Sequence, residues 1–250
     1  MDGAMMGGKG EASTSVAVFD LDGTISHRDL FLVFLMQATR RLGPARKLRT
    51  ALLPLHTLRF GLRAITNAEL KAAFLDAILG GRQRSTLAAL ATDFAARSLE
   101  REVKPAALQA MQRHRQAGDA LVLASASLDL YVEPIGSQLG FDAVVSTRVA
   151  WTADDRLAGS LDGSNLRGAP KLAAVRAMLA ERFPLAKSFV AYSDHESDIP
   201  LLAAASSAFA VDPTAALARA ARERGWPIVD WRGAGSLPAA AVQRGLVVPG

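Results

Sequence analysis

Apolar residues follow two rhythms along this chain. Short unbroken runs, Ser15-Val16-Ala17-Val18-Phe19, Ala120-Leu121-Val122-Leu123-Ala124 and Ser188-Phe189-Val190-Ala191-Tyr192, read as buried β-strands. A run at 141–145 and a last one at Pro227-Ile228-Val229-Asp230 read the same way. Between them, apolar positions recur at helical spacing. Helices are predicted over 105–117 and 128–139, from Pro170 to about 182, and from near Pro200 onward; Pro105 and Pro170 stand where a first helical turn tolerates proline. Residues 147–161 alternate weakly around Asp154-Asp155 and predict a β-hairpin. Strands alternating with helices indicate an α/β fold, a Rossmann-like doubly wound parallel sheet.

One stretch breaks the alternation. From 29 to about 100 the pattern is helical throughout, in segments of roughly 29–41, 44–64, 67–79 and 83–99 interrupted at Gly43-Pro44, Gly61, Asn67 and Gly80-Gly81. That is too much helix for one crossover between parallel strands. The expected organisation is a loose leader at 1–14, an α/β core at 15–28 and 104–232, an all-helical cap at 29–103 inserted after the first strand, and a Gly/Ala-rich tail at 233–250.

Composition narrows the chemistry. The chain has 250 residues, half of them apolar, which suits a globular protein with a substantial core. It has no cysteine, which removes disulfides, zinc–thiolate sites, iron–sulfur clusters and cysteine nucleophiles and is compatible with a cytoplasmic location. Residues 1–14 lack the apolar centre of a secretory signal, and no run approaches the roughly 20 apolar residues of a membrane span. The net charge of +5 suits a solvated surface best, and a phosphorylated small molecule as well as nucleic acid; a small cap that contributes part of a pocket suits a metabolite, so no nucleic-acid partner is expected. The basic segment 46–63 reads as a cap helix with a solvated face in preference to a membrane-surface helix.

Polar residues stand where the strands end. Asp20-Leu21-Asp22-Gly23-Thr24 follows the first strand, Ser125 the second, and Asp194 the third, with Asp198 four residues on; Lys171 opens the helix after Pro170. In a parallel sheet these carboxyl ends share one edge, where such folds place their ligands. Several carboxylates close together require a cation. Acid oxygens without a His/Cys cluster favour a hard ion, and Mg²⁺ fits best because it takes one or two carboxylates with water and a phosphate. Lys171, the Thr24 and Ser125 hydroxyls and nearby backbone N–H groups would hold an anion beside it. One carboxylate can then attack phosphorus while a second, two residues on, moves the proton.

The ordered set Asp20-Leu21-Asp22-Gly23-Thr24, Ser125, Lys171, Asp194 and Asp198 resembles that of the haloacid dehalogenase-type phosphatases, across about residues 15–205. The helical insertion, Ser125-Ala126-Ser127 and the run from Tyr192 to Leu202 resemble the phosphoserine-phosphatase-like branch, subfamily IB, with its C1-type cap. The resemblance implies Asp20 as nucleophile and Asp22 as general acid/base. It implies a Mg²⁺ site drawing on Asp20, Asp22, Asp194 and Asp198, with the Asp22 backbone carbonyl on the ion. Thr24, Ser125, Ala126 and Lys171 would bind the phosphoryl group, and Asp29 falls where the cap supplies an acid to the substrate. The expected partner is a small phosphorylated metabolite such as histidinol phosphate or phosphoserine. The chain departs from the phosphoserine phosphatases at Ser197, where they carry asparagine, and no arginine around Glu69-Leu70-Lys71-Ala72-Ala73 matches their cap arginine. The same residues would serve a phosphotransferase, and a non-enzymatic phospho-aspartate signalling module shares part of the set.

Overall fold

Val16–Phe19 (β1) lies in the middle of a parallel sheet, hydrogen-bonded to Ala120–Leu128 (β2) on one side and Phe189–Ser193 (β6) on the other. In this computed structural model, which describes residues 15–43 and 47–233, Ala143–Thr147 (β3) closes one edge. Ser207–Val211 (β7) and Ile228–Val229 (β8) extend the other edge, giving the order β3-β2-β1-β6-β7-β8. Strand succession therefore reverses between β1 and β6, and the crevice outside their carboxyl ends is where a doubly wound sheet places its ligand. Val149–Trp151 (β4) and Leu157–Leu161 (β5) form the predicted antiparallel hairpin.

Alternate residues of each strand feed opposite faces, as the two-residue period requires. Ala17, Phe19, Leu121 and Leu123 join one core cluster, while Val16, Val18, Val122 and Ala124 join a second. Pro105–Gln116 (α6) and Asp129–Leu139 (α7) contribute to the first face; Ala169–Arg182 (α8), Ile199–Ala204 (α9) and Ala215–Arg224 (α10) contribute to the second. Beneath the carboxyl edge, Phe19, Tyr192 and Phe209 stack across three strands with centroids 4.6 and 4.7 Å apart. The Tyr192 hydroxyl meets His114 Nε2 at 2.9 Å, and His114 Nδ1 meets Asp119 at 2.6 Å, so this buried polar group is satisfied.

Among the described residues six α-helices stand between β1 and β2: Leu30–Leu42 (α1), Lys47–Thr50 (α2), Leu53–Gly61 (α3), Asn67–Leu79 (α4) and Arg84–Arg101 (α5) precede α6. The single helix expected over 44–64 is in fact two. Pro54 sits in the first turn of α3, where it has no N–H to bond the Thr50 carbonyl and its ring clashes with a helix continuing from that residue. A helix does begin near Pro200, as α9, while β7 and α10 beyond it had no counterpart in the sequence reading: the strand Ser207-Ala208-Phe209-Ala210-Val211 is built mostly from small residues that carry little strand signal. The leader 1–14, the tail beyond 233 and the Pro44 break lie outside the described residues. Among the described residues no helix is long and apolar enough to cross a membrane.

Candidate active site

The β1 strand ends in a turn that its sequence dictates. Asp22 at φ −75°, ψ 120° and Gly23 at φ 78°, ψ −22° form a type II turn, whose second corner glycine fills without strain. Space enforces the same choice, because a Cβ on Gly23 would fall inside the Asp194 carboxylate. The turn is pinned from below. The Asp20 N–H donates to the Tyr192 carbonyl at 3.0 Å, and the buried Lys104 ammonium, paired with Asp212 at 2.8 Å, donates to the Gly23 carbonyl.

Asp20, only 6% exposed, faces Lys171 from the first turn of α8. The Lys171 Nζ donates to Asp20 Oδ1 at 2.8 Å and to Asp198 Oδ2 at 2.6 Å. Asp198 is 1% exposed, and its Oδ2 also accepts from the Ser193 hydroxyl at 2.8 Å, while its Oδ1 is buried with no partner. The Thr24 hydroxyl lies 3.3 Å from Asp20 Oδ2 and 3.2 Å from Asp194 Oδ1, joining the ends of β1 and β6.

Asp22 turns the other way. Its Oδ1 accepts the Leu30 N–H at the start of α1, at 2.8 Å, and its Oδ2 accepts the Ser127 hydroxyl at 2.6 Å, with Ser125 Oγ at 3.4 Å. The two aspartates, two residues apart in sequence, therefore serve different surroundings. Asp29 caps α1 by accepting the Phe31 N–H at 2.7 Å.

Burial dominates the electrostatics. It raises the Asp20 carboxyl to about 6, with Asp198 adding to the rise and Lys171 opposing it. It raises Asp22 to about 7, assisted by Asp29 and Asp20, and Asp194 to about 7, assisted by Asp20. Burial alone would discharge Lys171, but Asp198 and Asp20 hold its pKa well above the ordinary lysine value.

These groups open onto a cavity of about 210 Å³. Asp20, Asp22, Asp29, Ala126, Lys171, Asp194 and Asp198 line it, as predicted residues brought to one place. Thr24 and Ser125 do not line it; both are fully buried behind it, and Ser125 Oγ accepts the Ser127 N–H at 3.0 Å. β2 continues past Ser125 to Leu128 with a register shift, and this carries Ala126 and Ser127 to the cavity wall. Asp198 stands at the N-cap of α9, but its side chain does not cap that helix.

Sequence reading missed Lys71, Asn67 and Arg167, which also line the cavity. Lys71 reaches from α4 to donate to the Ala126 carbonyl at 2.6 Å and to Asn165 at 3.2 Å, and burial lowers its pKa to about 8. Arg167 lies 3.2 Å from His195 Nε2. No local motif marks these three; a polar residue on an otherwise ordinary helix or loop becomes meaningful only when the fold aims it.

The donor set suits Mg²⁺, with Asp22 expected at the ion through its backbone carbonyl and not its carboxylate. Asp22 and Asp198 are committed to the α1 start and to Lys171, and among the described residues no three acidic or histidine side chains gather tightly enough to hold an ion alone. Asp20 and Asp194 face one common point beside Thr24, and burial works against the charge of both. Two carboxylates completed by a backbone carbonyl and water match the habit of this ion.

Comparison with known proteins agrees with this geometry. The model of the haloacid dehalogenase-like hydrolases matches residues 17–203. A histidinol-phosphatase of Neisseria meningitidis is 28% identical over 152 residues, covering 60% of this chain and 68% of that protein. The phosphoserine phosphatase SerB1 of Mycobacterium tuberculosis is 32% identical over 156 residues, covering 62% of this chain and 50% of that one. The chain spans about half the length of several curated relatives it matches. A crystal structure of a protein of unknown function from Bordetella pertussis superposes with a TM-score of 0.75 at 24% identity, covering 88% of this chain and 99% of that one. The chain belongs to the haloacid dehalogenase-like hydrolase family.

Proposed function

We propose that the protein is a Mg²⁺-dependent phosphatase that hydrolyses a small phosphate monoester through a phospho-aspartate at Asp20. The observation that carries this reading is the Lys171 ammonium bridging Asp20 and Asp198 at 2.8 and 2.6 Å at the floor of the cavity. It holds the Asp20 carboxylate charged against the desolvation that burial imposes, and presents a cation to an incoming phosphate.

In the first step an Asp20 oxygen bonds to phosphorus and the bond from phosphorus to the ester oxygen breaks. Asp22, whose raised pKa of about 7 keeps a protonated fraction at neutral pH, gives its proton to the departing alkoxide. In the second step a water attacks phosphorus and passes a proton to Asp22, and the bond to Asp20 breaks to release inorganic phosphate. Ser127 and the Leu30 N–H orient Asp22 for both transfers. Asp20, Asp194 and the Asp22 carbonyl would hold the Mg²⁺, which supplies charge neutralisation for the phosphate when bound.

The helical insertion acts as a cap, its α4 residues Asn67 and Lys71 forming the cavity wall opposite the aspartates. Lys71, Arg167 and Asp29 offer both charge signs to the leaving group, which suits an amino alcohol or amino acid phosphate of the histidinol phosphate or phosphoserine kind. The names of the two relatives point the same way. Turnover of a phosphate-ester panel by wild type and Asp20→Asn tests the reading. The variant should lose activity, and excess chelator should abolish wild-type turnover; retained activity in either case overturns it.

A further inference from the structure

We infer that α3 is an interfacial helix that docks the protein on an anionic lipid surface. From Leu30 to Ala68 the chain carries seven arginines and lysines and no acidic residue. Within that run, Leu52, Leu55, Leu58, Phe60 and Leu62 are 48%, 52%, 59%, 38% and 70% exposed. Half of the large apolar side chains exposed on the described molecule thus fall within eleven residues. Leu53 alone among the α3 residues is buried, so the helix rests on the rest of the insertion by one apolar anchor and turns its remaining leucines outward.

Scattered exposed leucines are ordinary, but a contiguous set on one short helix and its two caps marks an interaction surface. Charge selects the occupant. Arg59 and Arg63 flank the leucines, and the nearest acids stand at the border: Asp76 pairs with Arg49, and the Glu69 carboxylate accepts from the Thr66 N–H and hydroxyl at 2.7 and 2.8 Å. A second copy of the chain meeting this face across a two-fold axis would set its arginines against each other. Exposed apolar side chains interleaved with basic ones, on and beside a helix too short to span, instead match a helix lying in the plane of an anionic bilayer. Three residues beyond Arg63 the capping box at Thr66 starts α4, whose Asn67 and Lys71 line the cavity, so docking would seat the cavity rim beside the lipid headgroups.

Co-sedimentation of the full chain with phosphatidylglycerol-containing and pure phosphatidylcholine vesicles tests this. Binding should require the anionic lipid and weaken with salt. Leu58→Gln/Leu62→Gln should abolish it, and Arg59→Gln/Arg63→Gln should weaken it by roughly thirtyfold. An unchanged melting temperature and unchanged turnover of a soluble ester would show that the variants stay folded. Wild-type protein that ignores anionic vesicles, or variants that bind as wild type does, would overturn the proposal. So would a dimer in gel filtration that Leu58→Gln/Leu62→Gln dissociates, since the face would then belong to a second copy.

Discussion

Gly23 illustrates how tightly single residues are constrained at the strand ends. Its φ of 78° and the Asp194 carboxylate standing where a Cβ would go leave room for glycine alone. Gly23→Ala should therefore displace Asp194 and Asp20 together, and kinetics should show activity lost well beyond any loss of thermal stability. Asp22→Asn tests the neighbouring position. An amide keeps the hydrogen bond from the Leu30 N–H but cannot exchange a proton, so kcat should fall by about 10²–10⁴ while the fold persists. Asp20, Asp22, Lys171, Asp194 and Asp198 were legible in the sequence because strand ends and a proline-opened helix fix where such residues face. Lys71 and Arg167 were not, since their use depends on how an inserted helix and a loop approach the sheet. Ser125 was half legible: the residue stands where expected, but the irregular continuation of β2 turns it to support Asp22 and Ser127 behind the cavity wall.

At the scale of elements, the buried pair of Lys104 and Asp212 ties the start of α6 to the β1 turn and to the segment after β7. Lys104 is 1% exposed, so removing it leaves the buried Asp212 carboxylate with only the exposed Arg232 guanidinium, 3.9 Å away, as a cation. Lys104→Met should cost about 3–5 kcal/mol in denaturant unfolding and should also lower activity by freeing the Gly23 carbonyl. Adding Asp212→Asn, which suits the φ of 45° and still accepts the Trp231 N–H, should recover much of the stability but not the activity, because the tether to the turn stays absent. The pair had no sequence signature: its members are 108 positions apart and lie on elements whose adjacency is a property of the sheet order. Strands β1, β2 and β6 were legible as apolar runs, whereas β7, rich in small residues, shows itself only through pairing with β6 and β8. The long helix read over 44–64 failed on a single residue, Pro54.

The whole molecule concentrates charge it can ill hold at the switch point between β1 and β6. Asp20, Asp22 and Asp194 are raised by burial to about 6, 7 and 7. The native state therefore binds more protons than the unfolded chain between about pH 4 and 7, and stability falls as pH rises through that window. Differential scanning calorimetry of metal-free protein should show a lower melting temperature at pH 7.5 than at pH 5, with Mg²⁺ raising it more at the higher pH. The central claim is narrower: one carboxylate, Asp20, carries the phosphoryl group during turnover. Acid quench of the enzyme turning over a phosphate ester with Mg²⁺, followed by peptide mass spectrometry, reads it directly. The account predicts a phosphoryl group on Asp20, absent from Asp20→Asn, which also fails to release phosphate. A label on another residue, or phosphate release by Asp20→Asn at the wild-type rate, would contradict it.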